Sequence, residues 1–366
     1  MQTDLAFLNT YGESGIGDFG AQLADQMGKR TLIRCLLRTG DTWSSFLRSI
    51  GLIITWRGTL VANLGLTSWG RSPVRNCLGI TAVALRARFG RTTVVLIHNL
   101  IEAIDIHDSG YAIGDFARRV AHFATSILRH CKTVVFSEDL SDTLARRYGW
   151  SASLTAVIPC NEPRCQPDES RESIVVTPGY ASPYKGLSRL PEIRKRLDLP
   201  GVQFFVIGGK HKLLQGTESY SKQQRETERI LFSEGITTIG YLPENEFDAW
   251  QRKAGVALLP YTSTQGASAT FSRLASNCLP TVTTDRREFR RLARLGAGLV
   301  IASDDPRELA RDVRRILQTP RLARELSEKQ AAFARAHGWD AFIDSLTALV
   351  ADANCGTLEN DVGRLR

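Results

Sequence analysis

The chain has 366 residues, of which 43% are apolar and 23% charged, and its formal net charge is +9. This length predicts two domains with separate apolar cores, so neither disulfides nor metal ions are needed for stability. We expect no secretory signal and no membrane span, because the first residues lack a basic-then-apolar pattern and no run of about 18 apolar residues occurs. The expected location is cytoplasmic, where the seven scattered cysteines would be reduced thiols.

Positive charge is concentrated in residues 26–100, where Asp41 is the only acid. The basic residues are Lys29, Arg30, Arg34, Arg38, Arg48, Arg57, Arg71, Arg75, Arg86, Arg88 and Arg91, and among them lie Trp43, Phe46, Leu47, Ile50 and Trp56. Such a pattern fits a solvated basic face over buried aromatics, or a peripheral site for an anionic membrane surface. Nucleic acid is not an expected partner, because no RNA- or DNA-binding motif accompanies the pattern.

The first half of the chain alternates strands with helices. In chain order the predicted elements are a strand in "DLAFLN", a loop and helix in "TYGESGIGDFGAQLADQMGKR", a strand in "TTVVLIHNL", a helix in "FARRVAHFATSILRHC", a strand in "KTVVFSE", a helix in "LSDTLARRYG" and a strand in "ASLTAVIP". Nearly continuous β-branched runs are typical of strands buried on both faces of a sheet. The alternation predicts a parallel sheet with helices on both sides.

A polar segment with two prolines, residues 160–173, is predicted to be a linker. Behind it a second alternation begins with "SIVVTPG" and continues through "VQFFVIGG", "TTIGYL", "VALLPY" and "GLVIAS", with helices between them. We therefore predict two Rossmann-like α/β domains, residues 1–165 and 166–340. Residues 341–366 are predicted to be a helix, able to pack back on the first domain, and a frayed tail.

Two stretches of the second domain follow strand ends, where open α/β sheets bind ligands. In "TPGYASPYKGLSRL", Gly179 permits a tight turn and Gly186 allows close approach of a ligand to the backbone. Ser182 can cap a helix or donate a hydrogen bond, and Lys185 can reach a phosphate as a point charge. A Lys-Gly pair also commonly begins an ordinary surface helix, so this stretch alone does not decide the function.

The second stretch, "YTSTQGASATFSRLASNCLPTV", contains a loop of small residues before a helix that begins near Thr270. The loop consists of Gly266, Ala267, Ser268 and Ala269. Free N–H groups and the helix dipole at such a position favour a diphosphate, and the Ser268 hydroxyl can add a hydrogen bond. An ordinary capped helix is the alternative.

The ordered series of these motifs resembles the second domain of the family-4 retaining glycosyltransferases, which have the two-domain GT-B fold. The series runs from "TPGYASPYKG" through "FFVIGG", "TTIGYLPENEFDAWQRKAGVALLPY", the small-residue loop, "LPTV" and "GAGLVIASDDPRELARDV" to "HGWDAF", and covers most of residues 174–345. The first domain matches more loosely. The resemblance implies a nucleoside diphosphate sugar donor on the second domain, an acceptor on the first, retention of configuration, and no metal or other cofactor.

The resemblance also assigns roles to individual residues. Lys185 and the helix start near Ser268 would neutralise the leaving diphosphate. His98, at the end of the strand "TTVVLIH", would face the sugar and the reacting centre, although a core or capping histidine is the alternative. Gly15 and Gly17 match the glycine loop after the first strand, where the backbone approaches the donor or acceptor. An ordinary strand-to-helix turn is the alternative for these glycines.

The sequence departs from the family pattern at three positions. Tyr180 stands where many members carry an arginine, and Gln265 and Arg273 stand where members often have two glutamates that contact the sugar and the ribose. The sequence of residues 267–269 is similar to a family branch with a Ser-Ser-Gly-like loop that lacks the first glutamate. Arg273 would then hydrogen-bond a ribose or phosphate oxygen, or face solvent.

The function implied by the resemblance is transfer of a hexose, such as mannose, to a saccharide acceptor in surface or exopolysaccharide synthesis. A lipid-linked acceptor is expected, with peripheral association at the inner face of the cytoplasmic membrane. The alternative is a GT-B protein that has lost transfer and binds only a sugar nucleotide or a partner. A Rossmann oxidoreductase is disfavoured, because no GxGxxG motif precedes an acidic residue at the usual spacing.

Overall fold

The computed structural model contains two α/β units, each built on one six-stranded parallel sheet. The described residues are 4–10, 15–30, 32–40, 42–65, 68–69, 72–100, 115–165, 171–179, 182–208, 218–263 and 267–363. Helices cover both faces of each sheet, as the alternation of strands and helices predicts. The prediction of a two-unit α/β fold is confirmed.

The first sheet has the strand order β2-β1-β3-β4-β5-β6. Its strands are β1 (Leu5–Asn9), β2 (Ile33–Arg38), β3 (Thr59–Leu64), β4 (Thr93–Ile97), β5 (Lys132–Val135) and β6 (Leu154–Thr155). The central strands β1, β3 and β4 are buried along their whole length, whereas β2 at the edge is not. The strand order reverses at β1, so the crevice for a ligand lies at the carboxyl ends of β1 and β3.

In the described part of the first unit, five α-helices pack on this sheet. They are α1 (Gly15–Lys29), α2 (Trp43–Thr55), α3 (Pro73–Arg88), α4 (Asp115–Ile127) and α5 (Glu138–Thr143). Helices α2, α3 and α4 supply apolar residues to the core on one face, and α1 supplies them on the other. Thr42 caps α2 and Ser72 caps α3 through their hydroxyls, which defines where both helices begin.

The second sheet has the strand order β12-β11-β10-β7-β8-β9. Its strands are β7 (Glu172–Pro178), β8 (Gln203–Ile207), β9 (Ile236–Ile239), β10 (Ala254–Leu259), β11 (Thr281–Thr284) and β12 (Leu299–Ala302). Strands β7 and β10 are neighbours, with a parallel register that pairs Val176 with Ala257. The order reverses between them, and both candidate phosphate stretches follow these two strands.

Among the described residues, eight α-helices belong to the second half of the chain. They are α6 (Leu190–Leu197), α7 (Glu218–Ser233), α8 (Glu244–Lys253), α9 (Ala269–Ser276), α10 (Arg287–Arg294), α11 (Pro306–Gln318), α12 (Pro320–Ala336) and α13 (Trp339–Gly363). Helix α13 returns to the first unit, where Trp339 and Phe342 pack with Phe19. Arg30 of the first unit forms ion pairs with Asp340 and Asp344 of α13.

One pair of cysteines differs from the expectation of scattered reduced thiols. Cys165 and Cys278 form a disulfide with their Cα atoms 5.4 Å apart. The sequence does not indicate this pairing, because 113 positions separate the two residues. Cys131 and Cys160 are buried free thiols. Among the described residues, no helix is both long and apolar enough to cross a bilayer.

Candidate active site

Lys185 is a buried cation at the carboxyl edge of the second sheet. It ends a short 3-10 turn, Pro183–Lys185, and only 6% of its surface is exposed. Its Nζ donates to Tyr261 Oη at 2.6 Å and to Thr270 Oγ1 at 3.2 Å. Burial lowers the pKa of Lys185, and within the described part of the chain no carboxylate offsets this cost. A buried ammonium whose partners are neutral hydroxyls favours an anionic ligand.

Gly179 and Gly186 give the backbone around this lysine its shape. Gly179 has φ of 112°, and a Cβ atom there would lie 2.6 Å from Lys185 Nζ. Gly186 has φ of 67°, and its Cβ would lie 2.0 Å from the carbonyl oxygen of Pro260. Both positions require glycine for conformation, and Gly186 also requires it for space, because the close atom there belongs to the backbone. Ser182 is half-buried, and its carbonyl accepts a hydrogen bond from the Lys185 amide at 3.0 Å.

The amino-terminal end of α9 borders the same lysine. Ser268 caps α9, because its Oγ accepts a hydrogen bond from the Phe271 amide at 3.1 Å. Both sequence readings therefore describe the same residue, because the capping hydroxyl keeps a proton to donate, for which Tyr261 is the partner in this structure. Ala269 is the exposed first residue of α9. The next residue, Thr270, supplies the hydroxyl that contacts Lys185.

Arg273 is held by α8. Its guanidinium forms ion pairs with Asp248 at 3.0 Å and with Glu244 at 3.3 Å, and it lies over the ring of Phe247 at 4.6 Å. Asp248 is 7% exposed, also accepts from Asn277 Nδ2 and lies 3.9 Å from an Arg164 nitrogen, so this carboxylate has further partners besides Arg273. The structure thus adds an intramolecular role to the two alternatives that the sequence left open for Arg273.

His98 lies directly after β4 in the first unit, between two aromatic rings. Its ring stacks on Phe136, with centroids 4.6 Å apart, and meets the edge of Phe19 at 4.8 Å. Burial lowers the pKa of His98 to about 3, so the imidazole is neutral at physiological pH. Its Nε2 lies 2.6 Å from Asn63 Oδ1.

Two buried asparagines determine which nitrogen of His98 carries the proton. Asn63 Nδ2 donates to the backbone carbonyl of Ile16 at 2.9 Å and to Asn9 Oδ1 at 2.8 Å. Asn9 Nδ2 in turn donates to the carbonyl of Gly17 at 3.2 Å. Because carbonyl oxygens only accept, the orientation of both amides is fixed and Asn63 Oδ1 must face His98. His98 therefore donates from Nε2 and keeps the lone pair on Nδ1.

The remaining residues of the sequence-based site lie as follows. Gly15 is the first residue of α1, and the carbonyl of Gly17 belongs to the asparagine network. Ala267 packs against the apolar cluster that includes Phe19 and Phe136, the rings flanking His98. Gln265, Gly266 and Tyr180 lie outside the described residues.

Four residues of this site were not singled out from the sequence: Asn9, Asn63, Tyr261 and Thr270. A signal did exist for the asparagines, because each stands near the end of a buried strand whose residues are mostly apolar. Tyr261 closes the run "VALLPY", where an aromatic residue is ordinary. Its hydroxyl becomes informative only when Lys185 is placed beside it in three dimensions.

An ion-pair network joins the two units. Arg287 of α10 pairs with Asp142 at 2.5 Å and Asp139 at 3.1 Å, both in α5. Arg291, also in α10, pairs with Glu288 at 3.1 Å and donates to the backbone carbonyl of Ala156 at 3.0 Å. Burial raises the pKa of Glu288 to about 8, despite the opposing effect of the Arg291 charge. The network thus links α10, which follows β11, to α5 and Ala156, which follow β5 and β6.

Comparison with known proteins adds family information. Residues 162–333 match the family model described as Glycosyl transferases group 1. No curated protein matches the chain. Among solved structures, the chain is similar to Anabaena Alr3699/HepE in complex with UDP, with a TM-score of 0.68 and 13% identity over 95% of this chain and 100% of that one.

Two further solved structures show the same architecture. Sucrose-phosphate synthase (tll1590) from Thermosynechococcus elongatus has a TM-score of 0.66 and 14% identity over the full length of both chains. A glycosyltransferase from Rickettsia africae ESF-5 has a TM-score of 0.63 and 11% identity, covering 96% of this chain and 98% of that one. At such identities the likeness shows the fold, which is GT-B as expected. The family match and the fold together support a GT-B glycosyltransferase with a group 1 domain in its second half.

Proposed function

We propose that the protein is a family-4 retaining glycosyltransferase that uses a nucleoside diphosphate sugar. The observation that carries the proposal is the buried ammonium of Lys185, which has hydroxyl partners and lies beside the amino-terminal end of α9. A diphosphate at this position would receive the charge of Lys185, the helix dipole and the Ser268 hydroxyl. These groups stabilise the negative charge that develops as the sugar–phosphate bond breaks, so no metal is needed for that task.

His98 has a positioning role in this proposal. Its Nε2–H is committed to Asn63, and its ring is clamped by Phe19 and Phe136. Neutral His98 therefore offers the Nδ1 lone pair as an acceptor for a hydroxyl of the sugar or of the acceptor saccharide. Because the pKa of the ring is about 3, His98 orients a hydroxyl and is too weak a base to remove its proton fully.

The donor and acceptor are proposed from chemistry and from relatives. HepE has been solved with UDP, with UDP and glucose, and with UDP-glucose, so uridine diphosphate hexoses are the first donors to test. We propose a hexose such as mannose or glucose as the transferred sugar and a lipid-linked saccharide as acceptor, in surface or exopolysaccharide synthesis at the cytoplasmic face of the membrane. Gly15 and Gly17 allow backbone approach to the acceptor or donor at the start of α1.

A thermal-shift series with uridine, guanosine, adenosine and thymidine diphosphate sugars tests the donor. We expect one base to raise the melting midpoint, after which release of that nucleoside diphosphate in the presence of saccharide acceptors tests transfer. Proton NMR of the product should show the anomeric configuration of the donor sugar. A product of inverted anomeric configuration would contradict retention. If none of the four donors raised the melting midpoint, that result would contradict the donor site.

A second candidate, a GT-B protein that binds a sugar nucleotide without transfer, is favoured by Arg273. The family places a ribose-binding glutamate at this position, whereas here the residue is an arginine engaged by Asp248 and Glu244. Donor binding without release of nucleoside diphosphate, under any acceptor, would select this candidate. The intact arrangement of Lys185, Ser268 and His98 supports the enzyme instead.

A further inference from the structure

The outer surfaces of α2, α3 and α4 form one continuous face of the first unit, here called the outer helical face. Helix α3 packs between α2 and α4, and all three lie on the side of the sheet opposite α1 and α13. Their inward residues, such as Phe46, Ile53 and Val83, belong to the core. The outward residues face away from the protein and determine what this surface can bind.

This face is apolar to an unusual degree. Of fourteen large hydrophobic side chains exposed among the described residues, nine lie on these helices or directly after α3. They are Trp43, Leu47, Ile54, Val74, Leu78, Leu85, Phe89, Phe116 and Phe123. Their spacing along α2 and α3 is i, i+4 and i+11, which places them on one side of each helix. Concentrated apolar exposure of this kind marks an interaction site rather than ordinary surface.

The charge on the same face is positive. Helices α2 and α3 contain no acidic residue, and Asp115 is the only one in α4. Exposed basic residues among the apolar ones are Arg48, Arg88, Arg91, Arg118, Arg119 and Arg129. Arg75 lies over the ring of Trp43, with 5.8 Å between Cζ and the ring centroid. The face therefore combines apolar side chains with a nearly uniform positive charge.

The sequence left two interpretations of the basic segment 26–100, a solvated face over buried aromatics and a peripheral membrane site. In the structure, each interpretation applies to some of its residues. Arg86 is buried and donates to the carbonyl of Ile53, and Arg34 pairs with Asp4 at 2.8 Å, so part of the positive charge serves the fold. Phe46 is buried and Trp56 is half-buried. The exposed apolar residues of the outer helical face lie mostly in this segment, and two of them, Phe116 and Phe123, lie beyond it.

We propose that the outer helical face docks on an anionic lipid bilayer, with its aromatic and aliphatic side chains in the headgroup region and its arginines on lipid phosphates. A second copy of the chain is a poorer occupant, because a symmetric contact would bring the arginines of both copies together. Nucleic acid is poorer too, because leucine and isoleucine side chains gain little from phosphates or base edges.

Docking at this face would bring the cleft near the bilayer. Helices α2, α3 and α4 each begin at the edge of the sheet where strands end, so Trp43, Val74 and Phe116 lie toward the edge that carries His98. A lipid-linked acceptor would then reach the cleft without leaving the membrane. This consequence rests on the proposed function, whereas the docking itself does not.

Co-sedimentation with vesicles tests the docking, using the full chain and no sugar nucleotide. One variant combines Trp43→Ser, Leu47→Ser and Phe89→Ser, and a second combines Arg88→Gln, Arg118→Gln and Arg119→Gln. All six side chains are exposed, so the fold should survive. A matched control carries Phe232→Ser and Arg196→Gln, which are exposed positions of the second unit.

We expect the wild type and the control to bind vesicles of mixed phosphatidylcholine and phosphatidylglycerol, and to bind less as salt is raised. Loss of three arginines should weaken this binding by on the order of 100-fold, at about 1 kcal/mol each. The apolar variant should lose binding to both mixed and pure phosphatidylcholine vesicles.

Three results would overturn the proposal: wild type that stays in the supernatant, both variants binding as the wild type does, or a dimer that the apolar variant abolishes. Transfer to a soluble acceptor, measured on the same proteins, separates docking from catalysis. Vesicle binding without transfer would leave the docking intact and contradict the enzyme.

Discussion

Replacement of Lys185 by methionine removes the buried charge and keeps most of the side-chain volume. A hydrogen bond to a charged group contributes about 1.5–3 kcal/mol, so loss of the contact with the leaving diphosphate should lower kcat/KM by about 10- to 150-fold. The ligand-free protein should behave differently. Tyr261 keeps hydrogen bonds with the Thr270 and Ser268 side chains, and removal of a buried ion is often neutral or stabilising.

The expected signature of Lys185→Met is therefore an equal or higher melting midpoint without ligand, together with a smaller shift on addition of nucleoside diphosphate. A purely structural lysine would give the opposite, a lower midpoint with an unchanged ligand response. Lys195→Met is the matched control, because Lys195 is exposed on α6 of the same unit. Retention of full kcat/KM by Lys185→Met would refute the assignment of the diphosphate site.

Three further predictions concern the geometry around the cleft. Gly179→Ala should lower the free energy of unfolding by about 1–3 kcal/mol, because of its positive φ, and should displace the buried lysine, which a nucleotide titration measures. Wild-type turnover should show no titration of His98 between about pH 5 and 8, because burial holds its pKa at about 3. Asn63→Asp places a carboxylate beside the ring and raises the pKa of His98, so a new loss of turnover should develop as the pH falls. Arg273→Glu should restore no ribose contact and should lower the free energy of unfolding by about 1–3 kcal/mol, because its carboxylate would face Asp248.

Each of these predictions has a control and a contradicting result. Gly28→Ala is the control for Gly179→Ala, because no atom lies within 4 Å of the Cβ added at Gly28. If both substitutions lowered the free energy of unfolding equally, the backbone conformation of Gly179 would not be the cause. Asn63→Leu lacks the carboxylate, so a pH profile shared by Asn63→Leu and Asn63→Asp would refute the electrostatic explanation. Greater transfer by Arg273→Glu than by Arg273→Gln would show that the family carboxylate can still act at this position.

The two-unit fold was predictable because its central strands are apolar runs that end in turn residues. Strands β2 and β3 and helices α2 and α3 were not placed from sequence. The run "SIGLIITWRGTLVANLGL" contains the end of α2 and all of β3, and its one charged residue, Arg57, does not show which side is helix and which is strand. Its boundary becomes clear only in the structure, where Trp56 ends the helix and Gly58 begins the turn into the strand.

The candidate site was predictable where a residue type has a local signature. Gly179 and Gly186 are required by their positive φ, and Lys185 follows from the same turn. The asparagine network behind His98 was not predictable, because its members lie 35 and 54 positions apart and meet only through strand order. The fixed amide orientation comes from backbone carbonyls, which no residue pattern reveals.

Hydrogen–deuterium exchange with and without nucleoside diphosphate tests the central claim most directly, because it locates the donor without assuming the sugar or the acceptor. We expect protection in peptides that span residues 177–188 and 260–276, the turn with Lys185 and the start of α9. Lys185→Met should remove that protection, and Lys195→Met should not. Protection confined to other parts of the chain, or none with any of the four nucleoside diphosphates, would contradict a donor site at this edge of the second sheet.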